Sequence, residues 1–364
     1  MYCDALIVGG GPAGSTCARA LSQTGWNVIV IDRARFPRDK VCGGWLTPEV
    51  FHLLDLDPGE YRNAGLTLQE ITGFRTGVLR RSTVETEYAR IVSYAIRRCE
   101  FDDFLLRRAG VRVLEQTALT SLHNDGDVWV ANEEIRAPLV IGAGGHFCPV
   151  ARRLRDHVAS PHPVVAREAE FRLDARGTTV VSNMPELFFC NDLQGYGWCV
   201  RKGDYLNVGI GRRSSVNFTA HVNEFVSFLE GSGKAPRASQ LQWRGHAYLA
   251  AGVGPPPIVA DGLLLIGDAA GLAYPESGEG IRPAIESALL AAQTLVAAGG
   301  RHGLEDLLPY QTSVGRRHPR VHDASPLMRL VETPIGRALL ASSSFTRHVV
   351  LDRWFLRSHG AMGK

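Results

Sequence analysis

The N-terminal third of the chain switches between continuous apolar runs and helical spacing. Ala5 to Val8 is an unbroken apolar run, as expected of a strand buried on both faces, and the strand is predicted over Tyr2 to Val8. "GGGPAG" follows at once, and beyond it Ala13, Cys17, Ala20 and Leu21 recur at helical spacing. "NVIVID" then predicts a second buried strand ending at Asp32. Residues 138–145 and Leu263 to Ile266 repeat the short apolar run. Residues 98–108 predict a helix with Phe101, Leu105 and Ala109 inward. Residues 111–136 read as short strands around an "NDGD" turn, Asn124 to Asp127. From about 163 to 250 the pattern is different: "VVAREAEFRL", "TTVVSN", "ELFFCN", "YGWCVRKG" and "DYLNVGIG" are short strands divided by turns, with one helix over His221 to Glu230.

Strand, glycine turn and helix carry chemistry at the start of the chain. Gly9, Gly11 and Gly14 match G-x-G-x-x-G. The first glycine allows a tight turn, the second lets a pyrophosphate approach the backbone, and the third lets the helix pack on the strand. The helix start offers its free amides to the phosphates. Asp32 stands about 20 residues on, where an acid accepts hydrogen bonds from a ribose. This is the pattern of a dinucleotide site, and taken alone it does not choose between NAD and FAD. There is no second glycine fingerprint, so a separate nicotinamide domain is not expected, and a reductant would be NAD(P)H bound transiently or another protein.

A second block returns to the same chemistry 250 residues later. In "DGLLLIGDAAGLAYPESGEGIRPAIESALLAAQTL" a strand ends at Gly267 and Asp268, and Gly278 to Gly280 open a long helix. An aspartate at a strand end and a helix start both suit a flavin. Here the chain resembles the geranylgeranyl reductase branch of the FAD-dependent (flavoprotein monooxygenase) oxidoreductase superfamily. The resemblance rests on "GDAAGLAYPESGEGI", on the N-terminal block, on "RARFPRDKVCGGWLTP", on "GYGWCVRKGDYLNVGIG" and on "RRCEFDDFLLRRA". It spans roughly residues 1 to 300, in the family's order. It implies FAD as cofactor, held by Gly9, Gly11, Pro12, Ala13, Gly14, Asp32, Arg33, Cys42, Gly43, Gly44, Arg98, Gly144, Gly267, Asp268, Pro275, Gly278, Glu279, Gly280 and Ile281. Gly144 stands where many members of the superfamily carry aspartate, and Val200, Arg201 and Lys202 stand where the branch has Phe-Pro-Lys. The tryptophan pair of the halogenases is absent, and only Trp198 remains.

The expected fold is α/β: a Rossmann-like FAD-binding domain with a parallel sheet, interleaved with an antiparallel-sheet substrate domain and a C-terminal helical region. The FAD domain runs over 1–162, with a crossing segment at about 40–100, and resumes at 251–300. The substrate sheet occupies 163–250 and the helical tail 301–364. Phe188, Phe189, Tyr196 and Trp198 are candidates for the wall of an apolar substrate chamber, and each is equally accounted for as core packing.

Composition narrows the picture only a little. A net charge of +3 gives no footprint for nucleic acid. The seven cysteines are scattered without a C-x-x-C pair, which argues against zinc and dithiol chemistry and for a reducing, cytoplasmic setting. No apolar run reaches membrane-spanning length, so no transmembrane helix is expected, and the first residues show neither the charged start nor the cleavage site of a signal peptide. From Arg316 to Lys364 nine Lys or Arg face three acids, interleaved with Leu, Val, Phe and Trp in "LMRLVE", "IGRALLASS" and "FTRHVVLDRWFLR". Such a tail fits a cap on the core, or a peripheral rest on an anionic membrane surface.

Three functions compete. The resemblance implies reduction of C=C bonds in an isoprenoid or other lipophilic substrate by hydride from reduced FAD. In that reading Cys42 of "DKVCGGWLTP" donates a proton or shapes the cavity, and its glycines let the backbone close over the flavin. The same scaffold serves a monooxygenase acting on an aromatic or quinone-like substrate, or a non-redox cyclase or lipid-binding protein.

Overall fold

A computed structural model describes residues 1–155, 164–173, 177–248, 257–318 and 334–357. The chain divides into two compact units, the described residues of Met1–Asp39, Cys99–Pro161 and Tyr248–His322 in one, and of Lys40–Arg98, His162–Ala247 and Asp323–Lys364 in the other.

The first unit is built on a six-stranded sheet in the order Val259–Ala260, Leu263–Leu265, Leu139–Gly142, Ala5–Val8, Val28–Ile31, Arg112–Leu114. Every pairing is parallel except the terminal Val259–Ala260 hairpin. Each of the four residues from Ala5 to Val8, Val28 to Ile31 and Leu139 to Gly142 is buried, as strands covered on both faces require. Helices Pro12–Ser22, Arg98–Arg108, Ile281–Ala297 and Leu304–Arg317 accompany this sheet. Helix Leu304–Arg317, part of the predicted tail, belongs here: Tyr310, fully buried, donates from its hydroxyl to the Leu265 carbonyl at 2.7 Å. The helix after "PESGEG" starts at Ile281, directly beyond the glycines.

The second unit carries a seven-stranded sheet in the order Arg244–Tyr248, Val164–Arg172, Tyr205–Arg212, Gly195–Lys202, Glu186–Phe189, Gly73–Val78, Thr83–Glu87. A three-stranded sheet of Trp45–Leu46, Ser93–Ile96 and Leu68–Ile71 lies in the same unit. The sheet is mixed rather than wholly antiparallel. Glu186–Phe189 runs parallel to Gly73–Val78, because the segment read as a crossing contributes strands of its own. "TTVVSN" is not a strand; Thr178 to Asn183 is a run of turns, tied by Thr178 Oγ1 to the Lys234 carbonyl at 2.7 Å. Helix Phe218–Gly231 covers one sheet face through Val222, Phe225 and Leu229. The other face packs on Leu340, Val350, Leu351, Trp354 and Phe355, so the described tail residues close this core. "LMRLVE" lies outside the described residues.

Candidate active site

The parallel sheet sets out the first part of the site at the carboxyl ends of its central strands, where ligands of open α/β sheets bind. Gly9 follows Val8 with φ +115°, and a Cβ there would stand 2.5 Å from the Ala143 carbonyl oxygen. A Cβ on Gly14 would stand 1.9 Å from the Gly9 oxygen, so the helix reaches this strand only because that position is bare. At Gly11 the nearest atom to such a Cβ is Arg38 Nη2, 3.4 Å away; this glycine is bare toward open space and a guanidinium. Pro12 stands at the start of helix Pro12–Ser22, where its missing N–H costs nothing.

Asp32 is partly buried, and its carboxylate accepts from the Gly10 amide at 2.8 Å and from the Ala34 amide at 2.8 Å. It thus braces the glycine turn from the neighbouring strand. Arg33 is exposed. Arg38, which pattern reading passed over, reaches the turn while paired to the fully buried Asp102 at 3.2 Å.

The distal block comes back to this place. Gly267, with φ +61°, brings its Cα close enough that a Cβ would lie 3.1 Å from the Ala13 Cβ. Its amide donates to Ser287 Oγ at 3.0 Å. A Cβ on Gly280 would lie 2.9 Å from Asp268 Oδ1. Gly278 donates to the Tyr274 carbonyl at 2.8 Å, and Tyr274 donates to that of Glu279 at 2.9 Å, which folds Pro275 and Glu279 into a tight turn ahead of Ile281. Gly144 is exposed beside Cys148. Helices Pro12–Ser22 and Ile281–Ala297 both have glycine N-caps, Gly11 and Gly280, which bring no capping side chain of their own to the first amides. Two glycine-capped helix starts, bare glycines and a fixed carboxylate fit the phosphates and ribose of a dinucleotide.

The second unit holds the other candidates. Cys42 and Gly43 are half-buried; Gly44 is buried with φ +65°, and its oxygen accepts from the Ile96 amide at 2.7 Å. A Cβ on Gly44 would stand 2.2 Å from the Ile96 oxygen and 2.5 Å from Lys202 Nζ. Arg98, only 8% exposed, opens helix Arg98–Arg108 at the change of unit.

Beneath Cys42 and Gly43 lies a polar layer that the sequence did not announce. The Cys42 amide donates to Glu168 Oε2 at 2.7 Å. Asn207 Nδ2 donates to the Cys42 carbonyl at 3.4 Å, and to Glu168 Oε2 and Glu170 Oε2 at 3.3 Å each. Trp198 Nε1 donates to Asn207 Oδ1 at 2.7 Å, and a Cβ on Gly43 would stand 3.6 Å from that indole nitrogen. Lys202, fully buried, donates to Glu170 Oε2 at 2.7 Å, and Arg97 Nε to Glu170 Oε1 at 3.0 Å. Gly209 makes room: a Cβ there would meet Trp198 Cζ2 at 2.3 Å and the Glu168 Cβ at 2.9 Å.

Burial pushes the Glu168 carboxyl upward, with the charge of Glu170 adding to it; Lys202, Asn207 and the Cys42 amide oppose it without cancelling it. Burial pushes Glu170 upward too, but Lys202 and Arg97 outweigh it, so that carboxyl lies below its ordinary range. Strand alternation could have found the pair. In "VVAREAEFRL", Glu168 and Glu170 fall on one face with Ala166, a residue of the apolar core.

The aromatic candidates do not share a face. Tyr196 and Trp198 lie together, ring centroids 6.1 Å apart, with Phe189 5.9 Å and Phe355 5.3 Å from Tyr196. Phe188 points the other way, into the core under helix Phe218–Gly231, 4.8 Å from Phe228. Adjacent positions on a strand cannot line one chamber wall. The cysteines other than Cys42 and Cys99 are buried, as small hydrophobes are, and none of the seven forms a disulfide.

Residues 2–189 match the family model described as "FAD binding domain". The chain belongs to this family. It is similar to the menaquinone reductase of Mycobacterium tuberculosis, 30% identical over 333 residues that cover 80% of this chain and 76% of that protein. It is likewise similar to the digeranylgeranylglycerophospholipid reductase of Methanothrix thermoacetophila, 30% identical over 351 residues that cover 88% of this chain and 86% of the other. Among solved structures, a geranylgeranyl bacteriochlorophyll reductase-like protein of Thermoplasma acidophilum superposes with a TM-score of 0.72 at 23% identity, covering 93% of this chain and 87% of that one. The expected resemblance, fold class and cofactor therefore stand, and the protein is an FAD-dependent oxidoreductase of the geranylgeranyl reductase-like branch. Among the described residues no helix is long and apolar enough to cross a membrane, and no cluster of metal-ligating side chains occurs.

Proposed function

We propose that this flavoprotein reduces C=C bonds of an isoprenoid or other lipophilic substrate. The observation that carries this reading is the Cys42–Gly44 turn, a thiol on a bare backbone held from below by a buried polar layer. It is supported by relatives whose names specify reduction of a geranylgeranyl phospholipid or a menaquinone. In this reading Gly9, Gly11, Pro12, Ala13 and Gly14 receive the FAD pyrophosphate, Asp32 and Arg33 the adenosine end, and Gly267, Asp268, Pro275 and Gly278 to Ile281 the remainder. Gly43, Gly44, Arg98 and Gly144 are assigned to the same cofactor. When bound, FAD supplies the two-electron chemistry. The chain supplies the rest: an apolar setting that excludes water, with Tyr196 and Trp198 as contacts, and a proton for the second carbon from the Cys42 thiol. The two electrons come from NAD(P)H or an electron-donor protein. Contact of the basic tail with an anionic membrane surface is a narrower part of the reading, and flotation with anionic and neutral vesicles tests it.

Anaerobic reduction followed by addition of a polyprenyl substrate is expected to reoxidise the flavin and give product heavier by two hydrogens. Product heavier by one oxygen, formed only in air, would move the protein to the monooxygenases. Conversion without any change in flavin redox state would sink the redox reading. Unchanged reductive turnover in Cys42→Ala would reject the thiol as proton source.

A further inference from the structure

The second unit buries two carboxylates side by side and treats them differently. Glu170 has both cations, Lys202 at 2.7 Å and Arg97 at 3.0 Å, and the Arg97 guanidinium also lies 3.7 Å from the centre of the Tyr205 ring. Glu168, 5% exposed, has only uncharged donors among the described residues, the Cys42 amide and the Asn207 side chain. A buried carboxylate whose hydrogen-bond donors are all neutral, with the Lys202 charge acting on it without a direct bond, is costly to keep for packing alone. Its shorter bond, 2.7 Å, goes to the residue that bears the thiol.

The turn is gripped at each end by this layer. Glu168 takes the Cys42 N–H, Asn207 Nδ2 reaches the Cys42 carbonyl, and the Gly44 amide donates to Cys42 Sγ at 3.4 Å. Asn207 is itself oriented by Trp198 Nε1, so its oxygen faces the indole and its NH2 faces the acids and the turn. A two-residue glycine run has wide conformational freedom when untethered. With the peptide groups on both sides of Cys42 fixed, the direction of its Cα–Cβ bond is set, and the Gly44 amide then meets the sulfur.

We propose that Glu168, with Asn207, is the positioning pair for Cys42, fixing the turn so that the thiol is aimed and partly covered. The proposal rests on the reductase reading only for the use to which the thiol is put; the positioning itself is a property of the second unit.

The test is alkylation of Cys42 by iodoacetamide, followed peptide by peptide in the FAD-loaded full chain, with partly exposed Cys99 as internal reference. Glu168→Ala is expected to raise the Cys42 rate about fivefold or more, because a released turn exposes the thiol, while Cys99 is unchanged. Glu168→Gln keeps an acceptor for the Cys42 amide and is expected to stay within about twofold of the parent. Glu168→Met keeps the volume and removes the acceptor, so its rate is expected to rise with Ala; a parental rate in Met would reduce the role of Glu168 to packing and overturn the proposal. Glu168→Asp, which draws the carboxylate back by one methylene, is expected to raise the rate in the same direction as Ala and serves if Glu168→Ala does not fold. A parental Cys42 rate in Ala or Asp would overturn the proposal, and so would a Gln variant as fast as Ala. The readout needs no substrate. Failure of reductive turnover in the parent protein would therefore remove the reductase reading and leave this result standing.

Discussion

Two glycine turns, one in each unit, are built in opposite ways. The Gly9–Gly14 turn is held by its neighbours' backbone: the Gly9 amide donates to the Ile31 carbonyl at 2.8 Å, and the Ala143 amide to that of Val8 at 2.8 Å. Two side chains brace it, Asp32 at the Gly10 amide and Ser15 Oγ at the Gly10 carbonyl, 2.9 Å. The Cys42–Gly44 turn is held by side chains from strands 126 and 165 residues away in the chain. The first turn is a consequence of close parallel packing and has no room for a Cβ at Gly9 or Gly14. The second is a consequence of buried polar chemistry, and its strength depends on what carries the charge. The difference teaches where each turn is vulnerable: both to volume, at Gly9 and Gly14 or at Gly44, and the second also to protons and hydrogen bonds.

The strongest way to break the first turn is to fill it. Gly14→Ala places a Cβ 1.9 Å from the Gly9 oxygen, so helix Pro12–Ser22 must leave the strand. Backbone overpacking of this kind is expected to cost about 3 kcal/mol or more. The purified protein should be colourless with a lowered melting temperature, and a yellow, stable variant would refute this account of the turn. Gly44→Ala comes next. It forces a side chain into φ +65° against the Ile96 oxygen, an expected cost of about 2–3 kcal/mol from conformation and crowding together. This substitution should lower thermal stability and raise Cys42 alkylation, yet leave FAD retention nearer the parent value than Gly14→Ala does.

A smaller effect is expected at Arg38. Its guanidinium stands on the open side of Gly11, so Arg38→Ala should weaken FAD retention about tenfold, as loss of one charge-assisted contact to a phosphate does. Equilibrium dialysis at low and high salt checks both the size and the electrostatic origin, for the deficit should shrink as salt rises.

The same contrast explains what could be read in advance. The parallel strands, the glycine fingerprint and Asp32 were legible because each is a local pattern whose spacing is set by one turn and one helix. Gly267 was legible for the same reason, though its contact with Ala13 was not, since that joins segments some 250 residues apart. The polar layer was obscure. Glu168, Glu170, Asn207 and Lys202 lie on three strands, and only the register of Glu170 with Asn207 and of Lys202 with Tyr205 brings them to one face. Phe188 looked equivalent to Tyr196 and Trp198 by composition, but period-two alternation set it on the helix side. The parallel pairing of Glu186–Phe189 with Gly73–Val78 is likewise invisible locally, because both partners read simply as strands.

The finest probe of the second turn is pH. Glu168 has a folded-state carboxyl raised by burial, first of all, and by the charge of Glu170. A raised carboxyl binds its proton more tightly folded than unfolded, so the contribution it makes to stability is complete below its unfolded value, about 4.3. That contribution is lost as pH rises through the folded value. Glu168→Gln mimics the protonated form and keeps the acceptor for the Cys42 amide. The two proteins should therefore melt alike at the acid end, and the Gln variant should gain steadily above it as the parent takes on a buried charge. Melting temperature against pH for the pair checks the sign. A Gln variant less stable than the parent at neutral pH would mean that Lys202 and Asn207 hold the Glu168 carboxylate more firmly than burial resists it, and the contrast between a turn held by volume and a turn sensitive to protons would then fail.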